Sequence, residues 1–423
     1  MIELNIERHK EQNQKVLMIT ICTMICFAPI THFVNQLCRL IFGAGFSLDT
    51  LVCYAVLAGM LLASLRQLHF QLKLDVLIVS IGFLVAFALS YTFAEGNKDF
   101  MFTQWTDFAG NPAYLLFVYS IPAYVFMRYV TDYDQMFETC QRFSLIVVFC
   151  SVGSFVIMLL RDSQPEYMSF SYNLVFATIL SFIYYFEKKK GLPLIAAIVG
   201  GIMIFLAGAR GPLACVFFSM ISYFLISKAS VGKKIFLACF LLTGGVIILI
   251  LWQQILTSLK DSMDSIGVSS RTLELLIEGE FSSDSGRGDI QLRIIESFTL
   301  FGRGLYGDRT IGENHYAHNL IIELIAQWGL LLGTVIVVTL CVLFFKGFRT
   351  KNDALRLLVL ALFSSSVVKL MLSGSYLAHN AALFVLIGAC VNSLEMEHAQ
   401  PAGADARSQK KKSKYIKAYS RYS

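Results

Sequence analysis

Three short polar clusters interrupt an otherwise apolar chain, and each carries a cation or an imidazole able to act on a charged ligand. In the first, Ala207-Gly208-Ala209-Arg210-Gly211-Pro212, Gly208 and Gly211 permit a tight reversal of the chain. Pro212 suits the first turn of a following helix, where its missing N–H costs nothing. A helix N-terminus presents free N–H groups and a partial positive charge, so it favours anions. Arg210 adds a planar fork that matches phosphate oxygens; its alternative is a snorkelling arginine at a membrane interface. The second cluster is Ser285-Gly286-Arg287, followed by Arg293 and Arg303. A lone loop arginine is ordinarily a solvated surface charge, and this one matters only if the fold carries it towards Arg210.

The third cluster, Asn314-His315-Tyr316-Ala317-His318-Asn319, opens a long apolar run. An imidazole at a membrane boundary can take or give a proton near neutral pH. With a helix starting there, Asn319, Glu323 and Gln327 recur at i, i+4 and i+8. Such a polar stripe at membrane depth has to face the bundle or a cavity. The plainer alternative is a helix cap at Asn319 with His315 and His318 at the interface. Lys369, near one end of a later apolar run, is a fourth cation that could equally snorkel. The ten cysteines show no C-x-x-C spacing and mostly sit in apolar runs, where they behave as small hydrophobes. Neither a disulfide framework, a metal site nor a cofactor is expected.

Positioning these clusters falls to membrane helices. The 423 residues are 56% hydrophobic and 15% charged, with mean hydropathy +0.64, whereas soluble domains average roughly 25% charged. The apolar surplus arrives as separate runs, most of them able to cross roughly 30 Å of hydrocarbon as a helix. Spans are expected near 16–34, 46–64, 74–93, 112–130, 143–160, 171–186, 192–208, 212–227, 235–255, 319–345, 354–373 and 378–394. The fold class is therefore an all-α integral membrane protein of about twelve transmembrane helices. The run 319–345 exceeds one crossing, so its first turns either lie outside the membrane or re-enter it. No small-x-small cleavage site follows the first span, which reads as a retained anchor.

Charge gives the bundle a polarity. If segment 1–15 is cytoplasmic, alternate connections and the basic tail 395–423 hold 24 of the 35 Lys and Arg residues. Most of the remainder falls in one long loop, which the positive-inside rule discounts. Both ends are thus expected in the cytoplasm, with helices one to nine over 16–255 and ten to twelve over 319–394. The tail either binds anionic headgroups of the membrane lipids or is a solvated segment that helps fix topology. Nothing points to a nucleic-acid partner. Residues 256–318 form the one long outer loop, in which Ile290, Ile294, Phe298 and Phe301 recur at helical spacing with Asp289, Arg293 and Glu296 between them. That pattern predicts an amphipathic helix on the bundle or the membrane surface; 271–278 is a second candidate. All three polar clusters then lie on the outer side.

Taken together, these motifs resemble the bacterial O-antigen ligases and O-antigen (Wzy-type) polymerases. The likeness rests on Arg210-Gly211 between two central spans and Ser285-Gly286-Arg287 opening a helix in a long outer loop. Gly302-Arg303-Gly304, His318-Asn319 and Gly329 complete it. It covers about 200–335 specifically and the multispan layout more loosely. The family often has G-x-x-G after the His-Asn pair, whereas Gly329 and Gly333 are one residue wider apart. A second pair, His379-Asn380, has Cys390 where that glycine should fall, which favours His318.

The resemblance implies a membrane-embedded glycosyltransferase with a periplasmic site in a bacterial inner membrane. Its donor would be an undecaprenyl-diphosphate-linked glycan. Arg210 and Arg287 would grip the diphosphate, His318 would be the catalytic base, and Gly211, Arg293, Arg303, His315, Asn319 and Glu323 would support them, without a metal. A polymerase joins repeat units, whereas a ligase passes the glycan to lipid A core. The segment Leu372-Ser373-Gly374-Ser375-Tyr376 and the run from His318 to Trp328 look more like the polymerases. A chain-length regulator is then a candidate partner. The rival from another class is a transporter or flippase for a lipid-linked sugar, against which the lack of an internal repeat counts.

Overall fold

The computed structural model describes residues 2–43, 48–67, 73–102, 112–160, 167–207, 210–226, 257–258, 260–262, 287–313, 315–378 and 380–399. The expected span 235–255, the segment 271–278, Gly208, Ser285, Gly286, Asn314, His379 and the tail beyond 399 lie outside them. Every other expected span falls on a helix. These are α1 (Ile2–Phe42), α2 (Leu48–Gln67), α3 (Leu74–Phe93), α5 (112–128, with a π stretch over Leu115–Ser120), α6 (Tyr133–Leu160), α7 (Tyr167–Lys188), α8 (Gly191–Leu206) and α9 (Arg210–Ile226). Near the C-terminus follow α12 (Leu320–Phe348), α13 (Asp353–Leu372) and α14 (Ala381–Ala399). Three shorter helices, α4 (Glu95–Phe102), α10 (Arg287–Glu296) and α11 (Gly307–Ile311), serve the outer loop.

No strand occurs among the described residues, and six helices there are long and apolar enough to cross a membrane. That is the architecture of an all-α membrane protein, because a helix satisfies its own backbone hydrogen bonds in hydrocarbon. Four further apolar helices, Val52–Arg66, Leu115–Arg128, Gly191–Leu206 and Arg210–Ile226, are shorter. Burial separates inner from outer helices: the apolar stretches of α7 and α13 are 67% buried, that of α3 only 11%. Ile78, Ile81, Leu84 and Val85 of α3 are accordingly exposed, as a lipid-facing surface requires.

Two polar devices pin the bundle. At one end Arg128, 1% exposed, pairs with Asp75 of α3 and Glu395 of α14 and donates to Asn392; Tyr124 donates to the same Asp75 at 2.5 Å. At the other, Asn97 of α4 donates to the carbonyls of Arg303 and Leu305 at 2.8 and 3.0 Å. Its Oδ1 accepts from Thr310 at 2.9 Å. The outer loop is thereby held on the α3–α4 corner.

The long run 319–345 turns out to be two helical pieces. Gly329 has φ 82° and ψ 168°, which interrupts α12. The hydrogen bonds lost at the break are made to the loop: Leu330 N and Leu331 N donate to Thr299 O and Leu300 O. In return Arg303 N and Gly304 N donate to Ala326 O and Gln327 O. Gly302 and Gly329 lie back to back, each occupying the place where a Cβ on the other would stand.

The amphipathic helix of the loop is shorter than its sequence pattern predicts. Ile294 is buried against Ala317 and Ala326, with Ile290 and Phe298 packed beside it. Phe301, expected on the same stripe, is 84% exposed. The helix ends at Glu296, where Ser297 N and Oγ both bond to Ile294 O, so the 3.6-residue spacing no longer places Phe301 on that face.

Candidate functional site

Tyr172, on the inner helix α7, is where separate parts of the chain meet. It lines a cavity of about 490 Å³ together with Asn173, Arg309, Tyr316, Lys369 and Ser373. α7, α13, α1, α5 and the start of α14 form its walls, and the turn after α13 and the outer loop complete them. Among the described residues no Asp or Glu lines it. The volume falls within the range of small-molecule sites.

Each of the three sequence clusters touches the rim of this cavity, although Arg210, Arg287 and His318 are not among the residues that line it. A Cβ on Gly211 would overlap the Tyr172 hydroxyl, so the absence of a side chain lets the start of α9, with Arg210 as its first residue, close against Tyr172. Arg287 opens α10, and its Nη1 donates to Leu372 O at 2.9 Å, where α13 ends. Its charge acts on both Tyr172 and His318. The ring of His318 lies 4.1 Å, centroid to centroid, from that of Tyr316, which lines the cavity.

His318 is held in an unusual state. Its backbone is left-handed, φ 52°, a conformation that non-glycine residues rarely adopt. Nδ1 is buried and has no hydrogen-bond partner. Burial, then the Arg287 charge, then His315 push the imidazole pKa down to about 4. The ring is therefore neutral at pH 7, with a lone pair available.

The polar stripe on α12 divides between two duties. Asn319 is the cap that the plainer reading expected, its Oδ1 accepting from Ile321 N and Ile322 N at 3.0 and 3.2 Å; such a cap contributes about 1 kcal/mol. Glu323 and Gln327 sit in a buried network behind the cavity wall. Glu323 accepts from Ser375 Oγ and Tyr376 N, and Gln327 bridges Asp308 at 2.7 Å and the Tyr376 hydroxyl at 2.7 Å. Asp308 also accepts from Ala317 N at 3.2 Å; burial raises its carboxyl pKa. Ser375 lines the cavity, so Glu323 acts on the site only through its neighbours.

Other candidates stand apart. Arg293 forms an exposed pair with Glu313 at 2.6 Å, Arg303 donates to Ser297 O at 3.3 Å, and His315 is exposed; none lines the cavity. In their place the structure supplies Tyr172, Arg309 and Lys369. A lone lysine in an apolar span is a signal in its own right, whereas nothing in the sequence distinguishes Tyr172 from the other tyrosines. No family model, curated protein or solved structure matches the chain. Its chemistry is therefore argued from the site itself.

Proposed function

We propose that this protein is a membrane-embedded glycosyltransferase of the O-antigen polymerase kind. It joins undecaprenyl-diphosphate-linked repeat units by inverting transfer at the periplasmic face of a bacterial inner membrane, through a bundle of about twelve spans with both ends cytoplasmic. The observation that carries this reading is that Arg210-Gly211, Arg287 and His318 gather at the rim of one cavity, Gly211 against Tyr172, Arg287 at the end of α13 and His318 against Tyr316. These residues come from distant parts of the chain, and their order matches the motif order of the family that the sequence resembles.

In the proposed reaction neutral His318 accepts the proton of the acceptor sugar's hydroxyl. The acceptor oxygen bonds to the donor's anomeric carbon as the bond from that carbon to the diphosphate oxygen breaks. The electron pair departs with undecaprenyl diphosphate, whose growing charge is stabilised by the guanidinium groups of Arg210 and Arg287. The cavity beside them, with Asn173, Ser373 and Asn380 set among apolar residues, suits the sugar units. The excess of Lys and Arg in the connections expected to be cytoplasmic supports the orientation.

The direct test is release of undecaprenyl diphosphate by purified protein given lipid-linked glycan. Wild type should release it, and Arg210→Ala, Arg287→Ala and His318→Ala should each slow release by about 10²-fold or more. Absence of release would overturn the enzyme reading in favour of a transporter or an assembly subunit. Release that survives both Arg210→Ala and His318→Ala would keep the enzyme and remove this site. A deletion strain whose lipid A core carries a single repeat unit supports the polymerase. Uncapped core with long polymer retained on the lipid carrier means the ligase.

A further inference from the structure

Lys369 is the cation that the transfer chemistry leaves unused. It stands in the last turn of α13, one of the two most buried of the six long apolar helices, and its Nζ lies 5.2 Å from the centre of the Tyr172 ring. The side chain is a wall of the cavity rather than a snorkelling group at the surface. Among the described residues no carboxylate lines that cavity, and none forms an ion pair with Lys369. An ammonium inside a bundle is costly without a counter-charge, and the Tyr172 face offsets only part of that cost.

Charge balance then says something about the ligand. A diphosphate diester carries two negative charges, and Arg210 and Arg287 match them. Arg309, the other cation lining the cavity, follows buried Asp308 in the chain and acts on its charge. Lys369 therefore remains as an unmatched positive charge in the space that the glycan itself would fill. Around it Asn173, Ser365, Ser373 and Asn380 offer donors and acceptors suited to sugar hydroxyls.

We propose that the cavity holds an acidic sugar, one bearing a carboxylate or phosphate substituent, with Lys369 pairing with that anion. The inference rests on the glycan-transfer reading and adds the substrate class to it. Its test is equilibrium binding to the full chain in nanodiscs, with three probes: a glucuronic-acid-containing disaccharide, a disaccharide phosphate, and a neutral disaccharide of the same size. At least one acidic probe should bind tenfold or more tighter than the neutral one, and which of them does so tells carboxylate from phosphate. Lys369→Met should abolish that advantage, while Lys369→Arg and the exposed control Arg303→Ala should keep it. Equal binding of all three probes to wild type, no binding of either acidic probe, or an advantage that survives in Lys369→Met would each overturn the proposal. The wild-type comparison decides alone if the methionine variant does not fold. Acid-selective binding without release of undecaprenyl diphosphate would sink the transfer reading and leave the acidic subsite; release without acid selectivity would do the reverse.

Discussion

His318 has a left-handed backbone, and burial together with the charges of Arg287 and His315 makes its charge state depend on folding. The folded imidazole titrates at about 4, against 6.5 when unperturbed. Between those values the unfolded chain binds more protons than the folded one, so stability rises with pH across that window. The contribution is complete above about pH 6.5 and is lost as pH falls towards 4. His318→Gln should flatten thermal midpoint against pH between those limits, and an unchanged slope would show that the burial of this ring is not felt. For catalysis the same shift predicts that the acidic limb of kcat/KM falls well below pH 6.5, since the free base persists to lower pH. Arg210 and His318 were legible at the ends of apolar runs, whereas Arg287 lies in a polar loop where an arginine is ordinarily a solvated charge. The setting of Lys369 was not legible, because whether a lysine near a span end snorkels or turns inward depends on which helices pack beside it.

Among the elements, α12 shows best what periodicity can and cannot convey. An apolar run too long for one crossing was visible in the sequence; the reason for its length was the interruption at Gly329. A Cβ there would meet Gly302 backbone, and φ 82° with ψ 168° belongs to a region nearly confined to glycine, at a cost of about 1–3 kcal/mol for other residues. Gly329→Ala should therefore lower the thermal midpoint of the detergent-solubilised protein, as should Gly302→Ala. Wild-type behaviour of both would mean that the loop and helix do not depend on this contact. The exchange of hydrogen bonds between 299–304 and 326–331 left no pattern in the residue types, since it is made by backbone atoms. That also explains why the stripe was extended wrongly to Phe301: spacing continues past a helix end that only local hydrogen bonding reveals.

At the scale of the molecule, the polar node around Arg128 lies about 16 Å along α14 from the cavity, taking eleven residues between Ala381 and Asn392 at 1.5 Å each. Three helices meet there, and Arg128→Met would remove a donor from Asp75, from Glu395 and from the buried Asn392 amide, leaving the carboxylates only Tyr124 and Lys73. A loss of about 2 kcal/mol is expected, read as a lowered unfolding midpoint with little change in probe binding at the distant cavity. In the sequence Arg128 counted only as one inward positive charge; its partners come from residues far away in the chain. Topology is open to a direct check as well. A protease site inserted after exposed Glu313 should be cut from the periplasmic side, and one placed after residue 399 only from the cytoplasm. The opposite pattern would reverse the charge-based orientation.

The back-to-back glycines also bear on how the site could change its span. The outer loop bonds both pieces of α12: it donates to Ala326 O and Gln327 O before the break and accepts from Leu330 N and Leu331 N beyond it. His318 sits just ahead of the first piece, and Arg210 begins α9 where Gly211 closes against Tyr172. The loop thus splints the break at residue 329, so any change in the distance between the proposed proton acceptor and the proposed anion-binding arginine has to carry loop and helix together.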